Sequence, residues 1–156
     1  MRETNTTNDK KTIRALDKKW GLAASSNDLD GVVSMYARNG TLVWPDNPPY
    51  HGTEAIRAQW TKMFKEYPKL KLVFTPTRID ISEAGDMAVD FGVVDFQFTA
   101  PEGVQRQIAK YVVVWRKVRG AWKVLYDSWN GNEPAGDTQS GGSSSKTKKS
   151  AASRNA

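Results

Sequence analysis

Asp127, His51, Asp46 and the pair Asp90 and Asp95 are the side chains in this sequence whose chemistry and placement could support proton transfer. Asp127 lies in the run AWKVLYDSWN at 121–130 and shares the two-residue side-chain period of a strand with Leu125 and Trp129. If that face turns inward, desolvation among indoles raises its pKa and makes it a candidate general base or acid. If it turns outward, Asp127 is a solvated or salt-bridged carboxylate. His51 is the one histidine, hence the one side chain with an ordinary pKa near neutrality. It stands just before Gly52 and a helix start, which favours a structural role with its ring bonded to a loop carbonyl. Asp46, among Pro45, Pro48 and Pro49, reads as turn chemistry. Asp90 and Asp95 have opposite parity on one strand, so one of them is expected to face the pocket side.

Other chemistries find no support. The chain has no Cys, which excludes disulfides, thiol nucleophiles and thiolate metal sites, and no second His is present to complete a zinc set. Neither a Gly-rich phosphate cradle nor a Ser with a His partner at recognisable spacing occurs, so nucleotide-driven and serine-hydrolase chemistry are disfavoured and no cofactor is expected. The formal charge is +6, but the basic residues before the C-terminal stretch are interspersed with acids and no nucleic-acid motif is recognisable, so nucleic-acid binding is disfavoured. No run approaches the roughly 18–20 apolar residues of a membrane span, and MRETNTTNDKK has no hydrophobic segment that could act as a signal. The expectation is a soluble, cytoplasmic protein.

The elements that must position these residues read as one domain. Only 38% of residues are hydrophobic, yet there are six Trp, five Tyr and five Phe, so a few bulky side chains must supply the burial. After a flexible 1–11, Ile13, Leu16, Trp20 and Ala23 or Ala24 predict a first helix. Asp28 can cap a second helix carrying Leu29, Val32, Val33 and Tyr36, which Asn39-Gly40 is expected to stop and turn into the strand 41–44. Thr53 can cap a third helix carrying Ile56, Trp60, Met63 and Phe64. From Leu70 the period changes to two, with a kink at Pro76, and long strands follow at 87–98, 105–118 and 121–130. The order predicts an α+β fold, with three N-terminal helices on one face of a curved, mainly antiparallel sheet and a conical cavity between them. Strands 87–98 and 105–118 are apolar on both faces, which predicts a homodimer through the sheet. From 131 onward no large apolar side chain occurs, and 131–156 reads as a disordered basic tail.

The run DLDGVVSMYARNGTL from Asp28, followed by Pro45, His51-Gly52 and EAIR at 54–57, resembles the nuclear transport factor 2-like superfamily, in particular its SnoaL-like and ketosteroid-isomerase-like branch. The closing GAWKVLYDSW resembles the last strand of the same fold, and the likeness spans about residues 12–130. The resemblance implies a cone-shaped fold and a pocket for a small apolar or aromatic molecule. It leaves open whether the protein is a cofactor-independent isomerase, cyclase, dehydratase or hydrolase, or a non-catalytic binding or dimerisation module. It places Trp20, Tyr36, Trp44, Trp60, Tyr111, Trp115, Leu125, Asp127 and Trp129 around the pocket, with His51 as the histidine of the family's His-Gly pair. The isomerase tyrosine, base and protonated aspartate fall at Trp20, Trp44 and about Val113. Indole cannot accept a substrate proton and Val can neither donate nor accept, which argues against ordinary ketosteroid isomerisation. The epoxide-hydrolase branch uses an Asp–Arg–Asp arrangement, for which Arg106 or Arg116 could stand near Asp127.

Overall fold

The computed structural model describes residues 2–133, and the expected tail beyond that point lies outside the described residues. Nine elements follow in order: α1 (Arg2–Ser25), α2 (Leu29–Val33), β1 (Tyr36–Val43), β2 (Tyr50–His51), α3 (Gly52–Glu66), β3 (Lys71–Ile81), β4 (Met87–Ala100), β5 (Gly103–Val118) and β6 (Ala121–Gly131). Six strands form an open mixed sheet in the order β2-β1-β6-β5-β4-β3, parallel only between β1 and β6. The helices cover one face of this cone-shaped α+β fold.

Helix α1 takes in the polar segment 2–11 and buries Ile13, Asp17, Trp20 and Ala24, one residue per turn on one stripe. It lies close along edge strand β3 because Gly21 has no side chain; a Cβ there would sit 2.7 Å from the Leu72 carbonyl oxygen. Ser25 Oγ accepts from the Leu72 N–H at 3.0 Å and Arg14 donates to the Pro76 carbonyl at 3.2 Å, so α1 engages backbone that an edge strand would otherwise leave open. At its other end Asp9 accepts from Lys117 at 3.0 Å and from the Trp122 indole at 2.9 Å, tying α1 to β5 and β6.

Three expectations are corrected. Asp28 does cap α2, accepting from the Gly31 N–H at 2.9 Å, but the helix stops at Val33 and Tyr36 opens β1. The apparent helical repeat through Tyr36 reflects burial on two successive elements. Asn39-Gly40 is consequently not a turn but part of β1, where pairing with β6 slips between Tyr36 and Thr41. Gly40 fits this crowded spot because a Cβ would sit 3.0 Å from the carbonyls of both Ala37 and Val124. Helix α3 begins at Gly52 after an uncapped His51, in place of the expected Thr53 cap. Pro76 does mark a register slip in β3, and β5 turns into β6 through Arg119 and Gly120, both at positive φ.

The core lies between α1, α3 and the sheet, with Trp20, Tyr111, Val113 and Trp115 fully or almost fully enclosed. On the opposite face Val89, Phe91, Val93 and Val112 stay exposed. Gly92, between these two environments on β4, is another close approach: a Cβ there would collide with the Thr75 carbonyl oxygen and sit 2.6 Å from Tyr111 Oη. Overpacking of this kind costs about 1–3 kcal/mol. Gly92→Ala is therefore expected to lower the thermal midpoint by several degrees in a calorimetric scan, and an unchanged midpoint would contradict this packing.

Candidate functional site

Strand β6 carries Asp127 opposite Val113 of β5 and Leu42 of β1. Its orientation depends on a bulge: Val114 pairs with Tyr126 and Trp115 with Val124, leaving Leu125 as the extra residue. Before the bulge the inward residues are Trp122 and Val124; after it they include Asp127, only 6% exposed. Trp129 follows on the same face. Simple alternation carries over from Asp127 to Trp129 but not back to Leu125, which is half-buried and off the cavity wall.

Asp127 Oδ2 accepts a hydrogen bond from Tyr36 Oη at 2.6 Å, and Tyr36 Oη accepts one from Trp60 Nε1 at 3.0 Å. This chain links α3, β1 and β6 through groups that have no water to fall back on. Burial pushes the Asp127 carboxyl up to about 6, with the Tyr36 bond pulling against that rise. Burial and the neighbouring Asp127 charge hold the Tyr36 phenol well above its ordinary range, so it stays a donor. No hydrogen bond from a described residue reaches Asp127 Oδ1.

Asp127 lines a cavity together with Trp44, Trp60, Phe96, Tyr111 and Trp129, and with Met63 and Phe74. Its free volume is about 30 Å³, room for one or two water molecules. A ring-sized ligand therefore requires the half-buried Trp44 and Trp129 in its wall to swing aside. Trp44 and Trp129 meet edge to face at 5.1 Å, and Phe96 lies nearly parallel to Trp129 at 6.5 Å between centroids. The wall is therefore aromatic, with few polar groups.

The other residues singled out in the sequence are distributed as follows. Trp44, Trp60, Tyr111, Trp129 and Asp127 meet at the cavity, while Tyr36 stands behind Asp127. Trp20 and Trp115 lie deeper, edge to face at 6.1 Å, with Trp20 stacked on Phe74 at 5.0 Å. His51 is exposed on β2, its Nδ1 3.0 Å from Thr41 Oγ1, away from the cavity wall. Asp90 points inward and receives a bond from Tyr111 Oη at 3.3 Å; Asp95 points outward and is held by Arg106 at 2.6 Å, which keeps its carboxyl below the usual range. Arg106 is thus engaged at the surface and not beside Asp127. Val113, near which the family resemblance puts the isomerase's protonated aspartate, is the cross-strand neighbour of Asp127. Among the described residues no cluster of three His, Asp or Glu could hold a metal ion, and no helix is long and apolar enough to cross a membrane.

Sequence reasoning missed Phe74, Phe96 and Asp17. Phe96 shares parity with Asp90 and Val94 on β4, a signal that was readable. Asp17 sits one turn from Ile13 on the apolar stripe of α1, where a carboxylate stands out.

Comparison with known proteins agrees with this architecture. No curated protein matches the sequence. A solved structure from Xanthomonas campestris, provisionally named a calcium/calmodulin-dependent protein kinase II association domain, is 26% identical, with 76% of this chain and 84% of that one covered at a TM-score of 0.67. A ketosteroid isomerase-like protein from Erwinia carotovora atroseptica is 18% identical over 79% and 95% of the two chains, with a TM-score of 0.68. A protein from Novosphingobium aromaticivorans, provisionally named an aromatic ring hydroxylase, is 19% identical over 82% and 92%, with a TM-score of 0.74. The last two likenesses speak for the fold alone. The SnoaL-like domain profile matches residues 5–126, from the first turn of α1 through all of β5 and the first half of β6, stopping just before Asp127, and the chain belongs to the SnoaL-like family.

Proposed function

We propose that the cavity takes one small apolar or aromatic molecule and that Asp127 moves a proton on it, or activates a water against it, without a cofactor. The observation that carries this reading is the buried chain Trp60–Tyr36–Asp127 ending at the cavity wall. Tyr36 fixes one carboxylate oxygen and leaves the other for a ligand. Desolvation makes the ionised carboxylate a stronger base than it would be in water, and at about 6 its pKa still lies low enough to leave it mostly ionised at neutral pH. Isomerisation, cyclisation, dehydration and hydrolysis all need such a group.

A second reading, a non-catalytic association module, is favoured by the uncovered sheet face. Phe91 is 45% exposed between Val89 and Val93, with Val112 beside it on β5. A contiguous apolar face of this kind marks an interface, here a homodimer through the sheet. The association-domain name of the Xanthomonas campestris structure is compatible with it. The two readings share one fold, since the cavity and the apolar face lie on opposite sides of the sheet.

Substitution at Asp127 separates them. In turnover assays over a panel of ketones, epoxides and hydroxylated aromatics, Asp127→Asn is expected to lower any activity found by about a hundredfold or more. Wild-type activity is expected to rise with pH through about 6 and then level off. Unchanged turnover in Asp127→Asn would remove the catalytic assignment.

The same substitution has an opposite effect on stability. Asp127 is harder to ionise in the folded chain than in the unfolded one, so its contribution is intact below about pH 4 and is lost as pH rises through about 6. Asn avoids that loss and can still accept from Tyr36. At pH values above 7, Asp127→Asn is expected to be more stable than wild type by about 3 kcal/mol, with the gain vanishing near pH 4. Chemical denaturation at the two pH values tests the sign.

For the interface, Phe91→Asp is expected to convert a dimer to a monomer in sedimentation velocity, at little cost to the fold because the side chain is exposed. A wild-type chain that sediments as a monomer at all concentrations would remove the dimer.

A further inference from the structure

Behind the cavity wall lies a second acidic centre. Asp17 on α1 and Asp90 on β4 are 1% and 0% exposed, and no described donor reaches either oxygen of Asp17 or Oδ2 of Asp90. Arg14, one turn before Asp17, has its guanidinium on the Pro76 carbonyl and eases the charge only from a distance. Asp127, across the core, adds repulsion. The indole N–H of Trp115 is near enough to favour a charge on Asp90 but makes no full hydrogen bond, and that of Trp20 has no partner among the described residues. Two ionised carboxylates side by side without donors are untenable in such a setting, so the pair keeps a proton. Burial first, and the Asp90 charge second, push Asp17 up to about 9, and burial raises Asp90 as well. One carboxyl of the pair is then an acid, and its O–H supplies the donor that the other, charged, carboxylate lacks.

This arrangement decides which way Tyr111 points. Tyr111 Oη donates to Asp90 Oδ1 at 3.3 Å, in the space that Gly92 leaves free. A phenol has a single hydrogen; with that hydrogen turned to a carboxylate, its oxygen offers only lone pairs elsewhere. Tyr111 also forms part of the cavity wall, together with Asp127, another acceptor at neutral pH. Trp60 has its N–H on Tyr36, and the remaining wall donors, on Trp44 and Trp129, belong to half-buried side chains that water can reach. The inner part of the cavity therefore accepts hydrogen bonds and does not donate them.

We propose that Asp17 and Asp90 are positioning residues that hold Tyr111 as an acceptor, so that the cavity selects a single-ring molecule bearing a hydroxyl donor, such as a phenol, over the matching ether or carbonyl compound. The inference rests on the cavity being the ligand site. It names the polarity of the ligand: the oxygen must bring its own hydrogen. A ketone oxygen placed against Tyr111 and Asp127 meets lone pairs, while a hydroxyl completes a bond to either. A site that leaves a buried polar group unpaired discriminates strongly, and one such mismatch is worth about tenfold in affinity.

The test uses phenol, anisole and benzaldehyde, three single-ring probes that differ in hydrogen-bonding character, titrated into the full chain at about pH 7.5, where free phenol keeps its proton. Binding is read by tryptophan fluorescence, with ligand-detected nuclear magnetic resonance as a check. Phenol is expected to bind about tenfold tighter than either of the others. Tyr111→Phe is expected to remove most of that preference while leaving anisole binding in place. Asp90→Asn is expected to reverse it toward benzaldehyde, because an amide can donate to Tyr111 Oη and turn the phenolic hydrogen into the cavity. A loss of preference without reversal in Asp90→Asn would contradict the orienting role. Equal binding of all three probes by the wild type would overturn the inference and leave the cavity as a ligand site. Binding of none of them would overturn both.

Infrared spectroscopy of chain with isotope-labelled aspartate covers the case in which the variants do not fold. The wild type is expected to show a protonated carboxyl at the same pH that disappears only on alkaline titration. Its absence would overturn the shared proton and with it the proposal.

Discussion

The hydrogen bond from Tyr36 to Asp127, 2.6 Å long and buried, is the contact on which the arrangement of this molecule turns. It spans 91 positions in sequence and joins the first long strand to the last, the only parallel neighbours in the sheet. A carboxylate in that place is tolerable only with a strong donor, and a phenol in that place needs an acceptor of its own and a donor such as Trp60. The local irregularities of the fold serve this meeting. The bulge at Leu125 turns Asp127 inward, and on either side of the slip in β1 Tyr36 and Leu42 both face the core.

Among the described residues the core holds three buried carboxyls, Asp17, Asp90 and Asp127, where a chain of this size could have placed apolar side chains. Each is raised by burial, so together they make the folded chain less stable as the pH rises from the acidic range. Stability withheld in this way concentrates at functional sites, where a strained or poised group is retained for what it does. The three acids also differ in partners. Asp127 has a phenol and opens on the cavity; Asp17 and Asp90 have chiefly each other, with Tyr111 as the link to the cavity wall.

Much of the fold was legible because large features repeat. The long strands β4, β5 and β6 and helix α3 follow from apolar periodicity and from turns such as Arg119-Gly120, and the Asp28 to Ile56 run identifies the family before any coordinates. What could not be read was the phase of irregular segments. Asn39-Gly40 looks like a helix stop, yet a bulged strand uses the same residues; only the pairing of β1 with β6 distinguishes them. The inward face of Asp127 was an open choice because a single bulge inverts parity upstream of it. Asp17 escaped notice because a helical carboxylate ordinarily faces water, and its burial is set by β3 and β4, far away in sequence.

The most direct measurement of the central claim is the titration of Asp127 itself, followed through its side-chain carbonyl carbon by nuclear magnetic resonance and assigned with Asp127→Asn. A buried carboxyl held by Tyr36 beside a ligand cavity should titrate near 6, and its midpoint should move when a single-ring ligand fills the cavity. A midpoint in the ordinary carboxylate range near 4, unmoved by ligand, would mean that Asp127 is solvated and would contradict the account.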